Sequence, residues 1–301
     1  MRFKISFLIL FIFTSTQIVG QNLREVPAEI FPSFEKDYLI IRHKNYTIAY
    51  SEKHEQAAFV IYKLTKKELY KHEERSNHFI EDPDINTSSA NDDDYYQSGY
   101  DRGHLAPAAD MSFSKTAMEE SFFYSNMSPQ KPSFNRGIWK RMEEQVRDWA
   151  YLKDSLIVIT GPVLKDGLEK IGPNKVSVPE YYFKIVLSKT EDGEYEALGL
   201  LVENKKSSAP LSQFFVTIDS IEKVTSINFF AGIPIQESFE SSYDASYWEI
   251  EDIDYVEVTE DEDNDEEEEH KTAHQCEGKT KKGTRCKRNA VENSKYCWQH
   301  Q

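Results

Sequence analysis

The stretch from Asn135 to Trp149 constrains this chain more than any other. Asn135, Trp139, Glu143 and Arg147 follow one another at steps of four, which on a helix sets them along one stripe. Ile138, Met142, Val146 and Trp149 form a neighbouring apolar stripe, the face that such a helix buries. The spacing predicts a single helix, anchored in a core on one side and offering an amide, a carboxylate and a guanidinium to one cleft.

Upstream stands Asp101-Arg102-Gly103-His104, followed by Ser125-Asn126-Met127-Ser128-Pro129-Gln130. With Asn135, these residues put a base, phosphate-sized cationic groups and a neutral metal ligand within one short span. Phosphodiester hydrolysis needs an activated water, charge stabilisation at five-coordinate phosphorus, and help for the departing oxygen. A neutral histidine, with an unperturbed pKa of about 6.5, suits the first need. A divalent ion meets the other two. Mg²⁺ prefers oxygen ligands and keeps several waters, so one amide oxygen plus substrate phosphate suffices. Plainer readings exist for each residue. A histidine can be purely structural, an asparagine at a helix start is commonly an N-cap, and Glu143 with Arg147 can be a surface ion pair. Asp101 can serve structure alone.

The run from Ser98-Gly99-Tyr100-Asp101-Arg102-Gly103-His104-Leu105-Ala106-Pro107 through Asn126 and Asn135 to Arg147 resembles the DNA/RNA non-specific endonuclease family. This is the ββα-metal (His-Me finger) group, which takes in secreted bacterial nucleases and mitochondrial endonuclease G. The resemblance extends to Tyr46-Thr47-Ile48-Ala49-Tyr50, Ile159-Thr160-Gly161-Pro162-Val163 and Val178-Pro179, and covers roughly residues 40–235. It implies an α+β fold, with an antiparallel sheet and a motif helix carrying the metal ligand. On this resemblance His104 is the general base and Asn135 the direct ligand of Mg²⁺ (or Mn²⁺). Glu143 orients the ion's water shell and Asn126 supports the site. Arg102 and Arg147 map onto phosphate-binding arginines, with Arg75 as a third, and Asp101 holds the water shell or a neighbouring arginine. The implied reaction is cleavage of DNA and RNA to 5′-phosphate and 3′-hydroxyl ends. Two rival readings stand beside it: a phosphodiesterase of small nucleotides, and a non-catalytic nucleic-acid-binding module. A homodimer and an inhibitor partner are left open.

Charge at first runs against a nucleic-acid enzyme, because 36 basic residues face 52 acidic ones, for a net −16. Fourteen of the carboxylates lie in residues 249–269, which hold no Lys or Arg, and the rest of the chain carries only −2. The acidity thus belongs to one segment, expected as a solvated linker over 241–270, with a cleft-blocking mimic of nucleic acid as the alternative. Arg2 and Lys4 ahead of the apolar run Ile5 to Phe13 read as a signal peptide over 1–20, hence a secreted or periplasmic protein. That run is too short to cross a bilayer, and no other segment is longer. The nuclease domain is then expected over 21–240. Within it, strands are expected at Tyr46–Tyr50, Ala58–Leu64, Ser155–Val163, Val176–Leu187 and Tyr195–Val202. A surface loop is expected over Asp82–Gln97, and a strand-to-helix switch over Leu211–Val224.

Residues 271–301 make a separate basic module containing all three cysteines, spaced Cys276-x₉-Cys286-x₁₀-Cys297-x₂-His300. Three thiolates and one imidazole can complete a tetrahedral Zn²⁺ site, whereas one disulfide with a leftover thiol is the competing arrangement. Lys279, Lys281, Lys282, Arg285, Lys287 and Arg288 suit the module to phosphate contact without sequence reading.

Overall fold

The computed structural model describes residues 26–70, 73–87, 89–233 and 239–248, together with the single positions 277, 279, 285, 286 and 295. In chain order its main elements are β1 (Leu39–Arg42), β2 (Thr47–Ser51), β3 (Gln56–Thr65), α1 (Asp92–Tyr95), β4 (Asp101–His104), α2 (Lys115–Glu120) and β5 (Met127–Gln130). Then come α3 (Lys140–Leu152), β6 (Ser155–Pro162), β7 (Tyr181–Lys189), β8 (Tyr195–Glu203), β9 (Phe215–Val216) and α4 (Ile218–Thr225). The architecture is α+β.

Seven strands form one antiparallel sheet in the order β9-β8-β7-β6-β3-β2-β1. Its centre is built from β-branched and aromatic runs such as Leu156-Ile157-Val158-Ile159 and Tyr181-Tyr182-Phe183, residue types that suit a pleated surface. These runs do not alternate with polar residues because both faces of the sheet are covered. Val60, Tyr62, Val158, Tyr182 and Val186 face Ile138, Trp139, Met142, Val146 and Trp149 from the motif helix. Phe59, Ile61, Ile157, Ile159, Phe183 and Ile185 face the other way, onto Ile218, Ile221, Phe229 and Phe230. The site helix therefore lies on a rigid wall that a second core braces from behind.

The structure departs from several expectations. The expected strand Val176–Leu187 is broken: Val176–Ser177 pairs with Lys170–Ile171, and β7 starts only at Tyr181. Pro179 lies in the gap and has no N–H to donate to a ladder. The loop Asp82–Gln97 contains α1, closed by a capping box in which Asn91 and Asp94 satisfy each other's backbone N–H groups. The packed body also runs past the expected boundary at 240. Trp248 is buried against Trp149, their rings 5.2 Å apart and near perpendicular, and Trp149 Nε1 donates to the Trp248 carbonyl at 2.8 Å. Lys153 Nζ donates to the Tyr247 carbonyl at 2.8 Å, so three aromatics, Tyr243, Tyr247 and Trp248, tie this segment down.

The signal peptide expected over 1–20, the remainder of the acidic linker, and Cys276, Cys297 and His300 lie outside the described residues. Cys286 is buried, and Lys279 forms an antiparallel bridge with Arg285. Among the described residues no helix is long and apolar enough to cross a membrane.

Candidate active site

β4 and β5 pair antiparallel, with Asp101 opposite Gln130, Gly103 opposite Ser128 and His104 opposite Met127. Glycine at 103 lets the Gln130 side chain lie against the strand, because a Cβ there would sit 2.1 Å from Gln130 Cδ and displace it. The chain leaving β5 turns into the motif helix at Pro132, whose missing N–H costs nothing in a first turn. Two strands and a helix thus converge on one point. Asn126 holds the corner: its Oδ1 accepts from Ala106 N at 2.8 Å, and its Nδ2 donates to Ala106 O at 2.9 Å and Ser121 O at 2.8 Å. The side chain is fully buried and committed to backbone, so Asn126 positions the loop after His104 and does not reach the reacting centre. Trp139 Nε1 donates to the His104 carbonyl at 3.3 Å, fastening helix to strand.

His104 is 7% exposed and rests edge-on against Phe122, centroids 4.9 Å apart, with Phe79 alongside at 5.9 Å. Its Nε2 is buried and has no hydrogen-bond partner among the described residues. Burial, then the Arg75 and Arg102 charges, lower the imidazole pKa to about 3, so the ring is neutral across the physiological range. A neutral imidazole with an unused buried nitrogen can accept a proton. The two arginines reach this shelf through its aromatic wall: the Arg102 guanidinium lies 4.1 Å from the Phe79 centroid and that of Arg75 lies 5.0 Å from Phe122. Arg102 also pairs with Asp92 and donates to Tyr124 Oη at 3.3 Å, while Arg75 Nε donates to Asn77 Oδ1 at 2.9 Å.

Asn135 is not an N-cap, since the helical turn begins at Lys131 and Asn135 already donates its N–H to the Lys131 carbonyl. Its Nδ2 donates to Asp101 Oδ2 at 3.0 Å, which leaves the amide oxygen as the atom it presents. Asp101 does hold a neighbouring arginine, and that arginine is Arg136, which the sequence reading missed. Arg136 Nε and Nη2 bind the two carboxylate oxygens at 2.8 and 2.7 Å. Between Asn135 and Trp139 the helix widens into a π turn, with Gly137 at φ −110°, ψ −107°. That widening breaks the strict four-residue stripe, and Trp139 is fully buried against the sheet instead of lining a cleft.

Arg147 departs furthest from its expected role. It is 4% exposed, and its Nη1 donates to Asp110 Oδ1 at 2.8 Å. Asp110, equally buried, accepts from Tyr62 Oη at 2.7 Å, so the pair joins α3 to β3 and is out of reach of a substrate phosphate. The surface ion pair with Glu143 is also excluded as an account of Arg147, because its side chain is not on the surface. Glu143, half-buried above this pair, has its pKa raised to about 7, chiefly by burial, with Lys184 and Arg147 opposing. Lys184 lies fully buried on β7, its Nζ 4.1 Å from the Trp139 centroid and 3.3 Å from Thr160 Oγ1, and burial lowers its pKa to about 8. The one sequence signal for Lys184 was a lysine inside the apolar run Tyr-Tyr-Phe-Lys-Ile-Val-Leu.

Asn135 and Glu143 could hold a hard cation: the amide oxygen that Asn135 presents and the Glu143 carboxylate are oxygen donors of the kind Mg²⁺ takes while keeping water and substrate phosphate in its shell. The cluster His43, Asp82 and Asp84 offers a poorer site. There each imidazole nitrogen already faces its own carboxylate, Nε2 to Asp82 at 3.0 Å and Nδ1 to Asp84 at 3.5 Å.

Comparison with known proteins adds an independent line. The model of the DNA/RNA non-specific endonuclease family matches residues 24–236. Mitochondrial endonuclease G of Bos taurus is 32% identical over 203 residues, covering 63% of this chain and 68% of its own. A nuclease of Syncephalastrum racemosum is 35% identical over 216 residues, covering 64% of this chain and 67% of its own. A chain in the crystal structure of the EndoG/EndoGI complex superposes with TM-score 0.63 at 29% identity, covering 69% of this chain and 94% of that one. These findings correct the localisation. Endonuclease G of Bos taurus and of Homo sapiens and the matching nuclease of Saccharomyces cerevisiae (strain ATCC 204508 / S288c) are mitochondrial, against the secreted or periplasmic location expected here. That expectation rested on residues 1–20 alone, which have no counterpart among the described residues, and it is withdrawn.

Proposed function

Since this chain belongs to the DNA/RNA non-specific endonuclease family, we propose that it is a divalent-metal-dependent endonuclease hydrolysing both DNA and RNA, with His104 as general base. The observation that carries this reading is the buried, unpartnered Nε2 of His104. An unmet buried polar atom costs about 1–3 kcal/mol, and a substrate-bound water is the natural group to relieve it.

Nε2 takes a proton from water as the water oxygen attacks phosphorus; the bond to the 3′ oxygen breaks and that oxygen takes a proton from solvent, leaving a 3′-hydroxyl and a 5′-phosphate, and His104 then returns its proton to solvent. In the free site burial, and after it the two arginine charges, hold the His104 pKa down. An arriving phosphate offsets the arginine charges and so raises the pKa by the smaller of these causes. Arg102 is available for that phosphate because its partner Asp92 is exposed, and an ion pair of this kind is worth only about 0–1 kcal/mol. Asn135 would hold the divalent ion with its amide oxygen, fixed in orientation by Asp101, and Glu143 would accept hydrogen bonds from the ion's water. The ion, when bound, neutralises the phosphate and eases departure of the leaving oxygen.

The test is incubation of the full chain, wild type and His104→Ala, with supercoiled plasmid and with ribosomal RNA, in Mg²⁺ or in EDTA. Both polymers are expected to be cut, with EDTA stopping the reaction and His104→Ala slowing it about 10²–10⁴-fold without loss of fold. Cleavage indifferent to EDTA refutes the metal, and full activity in a folded His104→Ala protein refutes the base. Intact polymers alongside hydrolysis of a small phosphodiester would favour the small-nucleotide enzyme.

A further inference from the structure

We propose that Tyr96 is a stacking platform for an unpaired nucleobase next to the scissile phosphate, in a groove that shares Asp101 and Arg102 with the catalytic scheme and whose tyrosines that scheme does not use. The inference rests on the nuclease reading above and extends it to substrate binding. The groove, about 510 Å³, is lined by Asp101 and Arg102 of β4 and by Tyr96 and Tyr100. It is therefore continuous with the residues that flank His104.

Tyr96 is 75% exposed, among the most open of the large side chains. Its hydroxyl accepts from Gln97 Nε2 at 3.2 Å, so the polar end has a partner while the ring face has none among the described residues. The backbone beneath is rigid. Gln97 sits in the left-handed region at φ 54°, Ser98 Oγ donates to the Tyr95 carbonyl at 2.9 Å, and Tyr100 N donates to Ser98 Oγ at 3.2 Å. Behind it, Asp94 accepts from Asn174 N and Nδ2 at 2.8 and 2.9 Å. An exposed aromatic on a fixed turn has little entropy left to lose when a flat partner lies on it. The second ring, Tyr100, is held by its own hydroxyl donating to Glu169 Oε2 at 3.3 Å.

The charge of the rim selects the occupant. Asp92 and Asp93 also line the groove, and carboxylates repel a phosphate backbone but accept from base N–H groups. Arg102 at the mouth would hold the phosphate, and the attached base would turn inward onto Tyr96. Stacking needs only a π face, so such a subsite tolerates any base, as a non-specific nuclease requires.

The experiment measures binding of the full chain to short single-stranded oligonucleotides in EDTA by fluorescence anisotropy, and KM and kcat in Mg²⁺. One set of oligonucleotides carries a single abasic position moved along the strand. Tyr96→Ala is expected to weaken binding and raise KM about tenfold, with a much smaller change in kcat, and Tyr96→Trp to restore both. At one position the abasic site should weaken the wild type by a similar factor and leave Tyr96→Ala unaffected, because the two changes remove the same contact. Wild-type cleavage with unaltered binding by Tyr96→Ala overturns the subsite alone. So does an equal abasic penalty in both proteins, which would place the contact on the backbone. A wild type that neither binds oligonucleotides nor cuts polymer overturns the nuclease reading with it.

Discussion

His104 should make the fold acid-labile in a way that removing its imidazole abolishes. Its pKa is about 3 in the folded protein, lowered first by burial and then by Arg75 and Arg102, against an ordinary value of 6.5. Folded and unfolded chains both carry a neutral ring above about pH 6.5, so stability there owes nothing to protonation. Below that, the unfolded chain binds a proton that the folded one refuses, and stability falls until the pH reaches the folded value. From about pH 6.5 to about pH 5 is roughly 1.5 units at about 1.36 kcal/mol each, a loss of about 2 kcal/mol. The assay is urea unfolding of wild type and His104→Gln in EDTA at about pH 7.5 and about pH 5, provided the urea dependence itself is unchanged. Other groups contribute slopes of their own, including His54, which burial also lowers, to about 4. They contribute equally to both proteins and cancel in the difference. The wild type should lose about 2 kcal/mol more than the variant between the two pH values. Equal losses would mean that His104 is not held neutral by its surroundings.

Three further outcomes are expected. Asn135→Ala should weaken Mn²⁺ binding, measured calorimetrically without substrate, and activity with it; unchanged Mn²⁺ affinity would remove Asn135 as ligand. Asp110→Ala removes a buried partner of the Arg147 charge and should cost about 3–5 kcal/mol in urea unfolding, so a loss below about 1 kcal/mol would refute the buried pair. Purified protein should carry one zinc per chain by elemental analysis, lost on Cys297→Ser, whereas a disulfide with no zinc would overturn the four-ligand reading of Cys276, Cys286, Cys297 and His300.

The helix that carries Asn135 was legible because an apolar stripe acts on neighbouring chain, and the four-residue motif at His104 carried the resemblance. The strands β4 and β5 were not among the expected strands, since Asp101–His104 and Met127–Gln130 are short, mostly polar runs that pair only across the fold. What the sequence hid depends on contacts across the fold. Arg147 looked like a cleft residue because helical spacing says which residues share a face, but not which face meets the sheet. Asp110 and Tyr62, 37 residues before Arg147 in one case and on β3 in the other, decide that it turns inward. The π turn at Gly137 was invisible for the same reason: a four-residue count presumes the pitch that Gly137 relaxes. Val176–Leu187 read as one strand because its hydrophobicity is continuous, although Pro179 marked the break. Tyr243, Tyr247 and Trp248 were taken for linker because the acidic run dominated the local composition, while their rings belonged to the core.

The docking of Trp248 on Trp149 also sets the two ends of the motif helix electrically apart. Trp149 is fourteen residues along that helix from Asn135, a separation of about 20 Å at about 1.5 Å of rise per residue. In salt of about 0.15 M the Debye length is about 8 Å, so the Asp244 carboxylate, which accepts from Tyr247 N at 3.3 Å beside Trp248, is largely screened from Asn135 and Asp101. At about 0.01 M the length grows to about 30 Å and the two ends share one field.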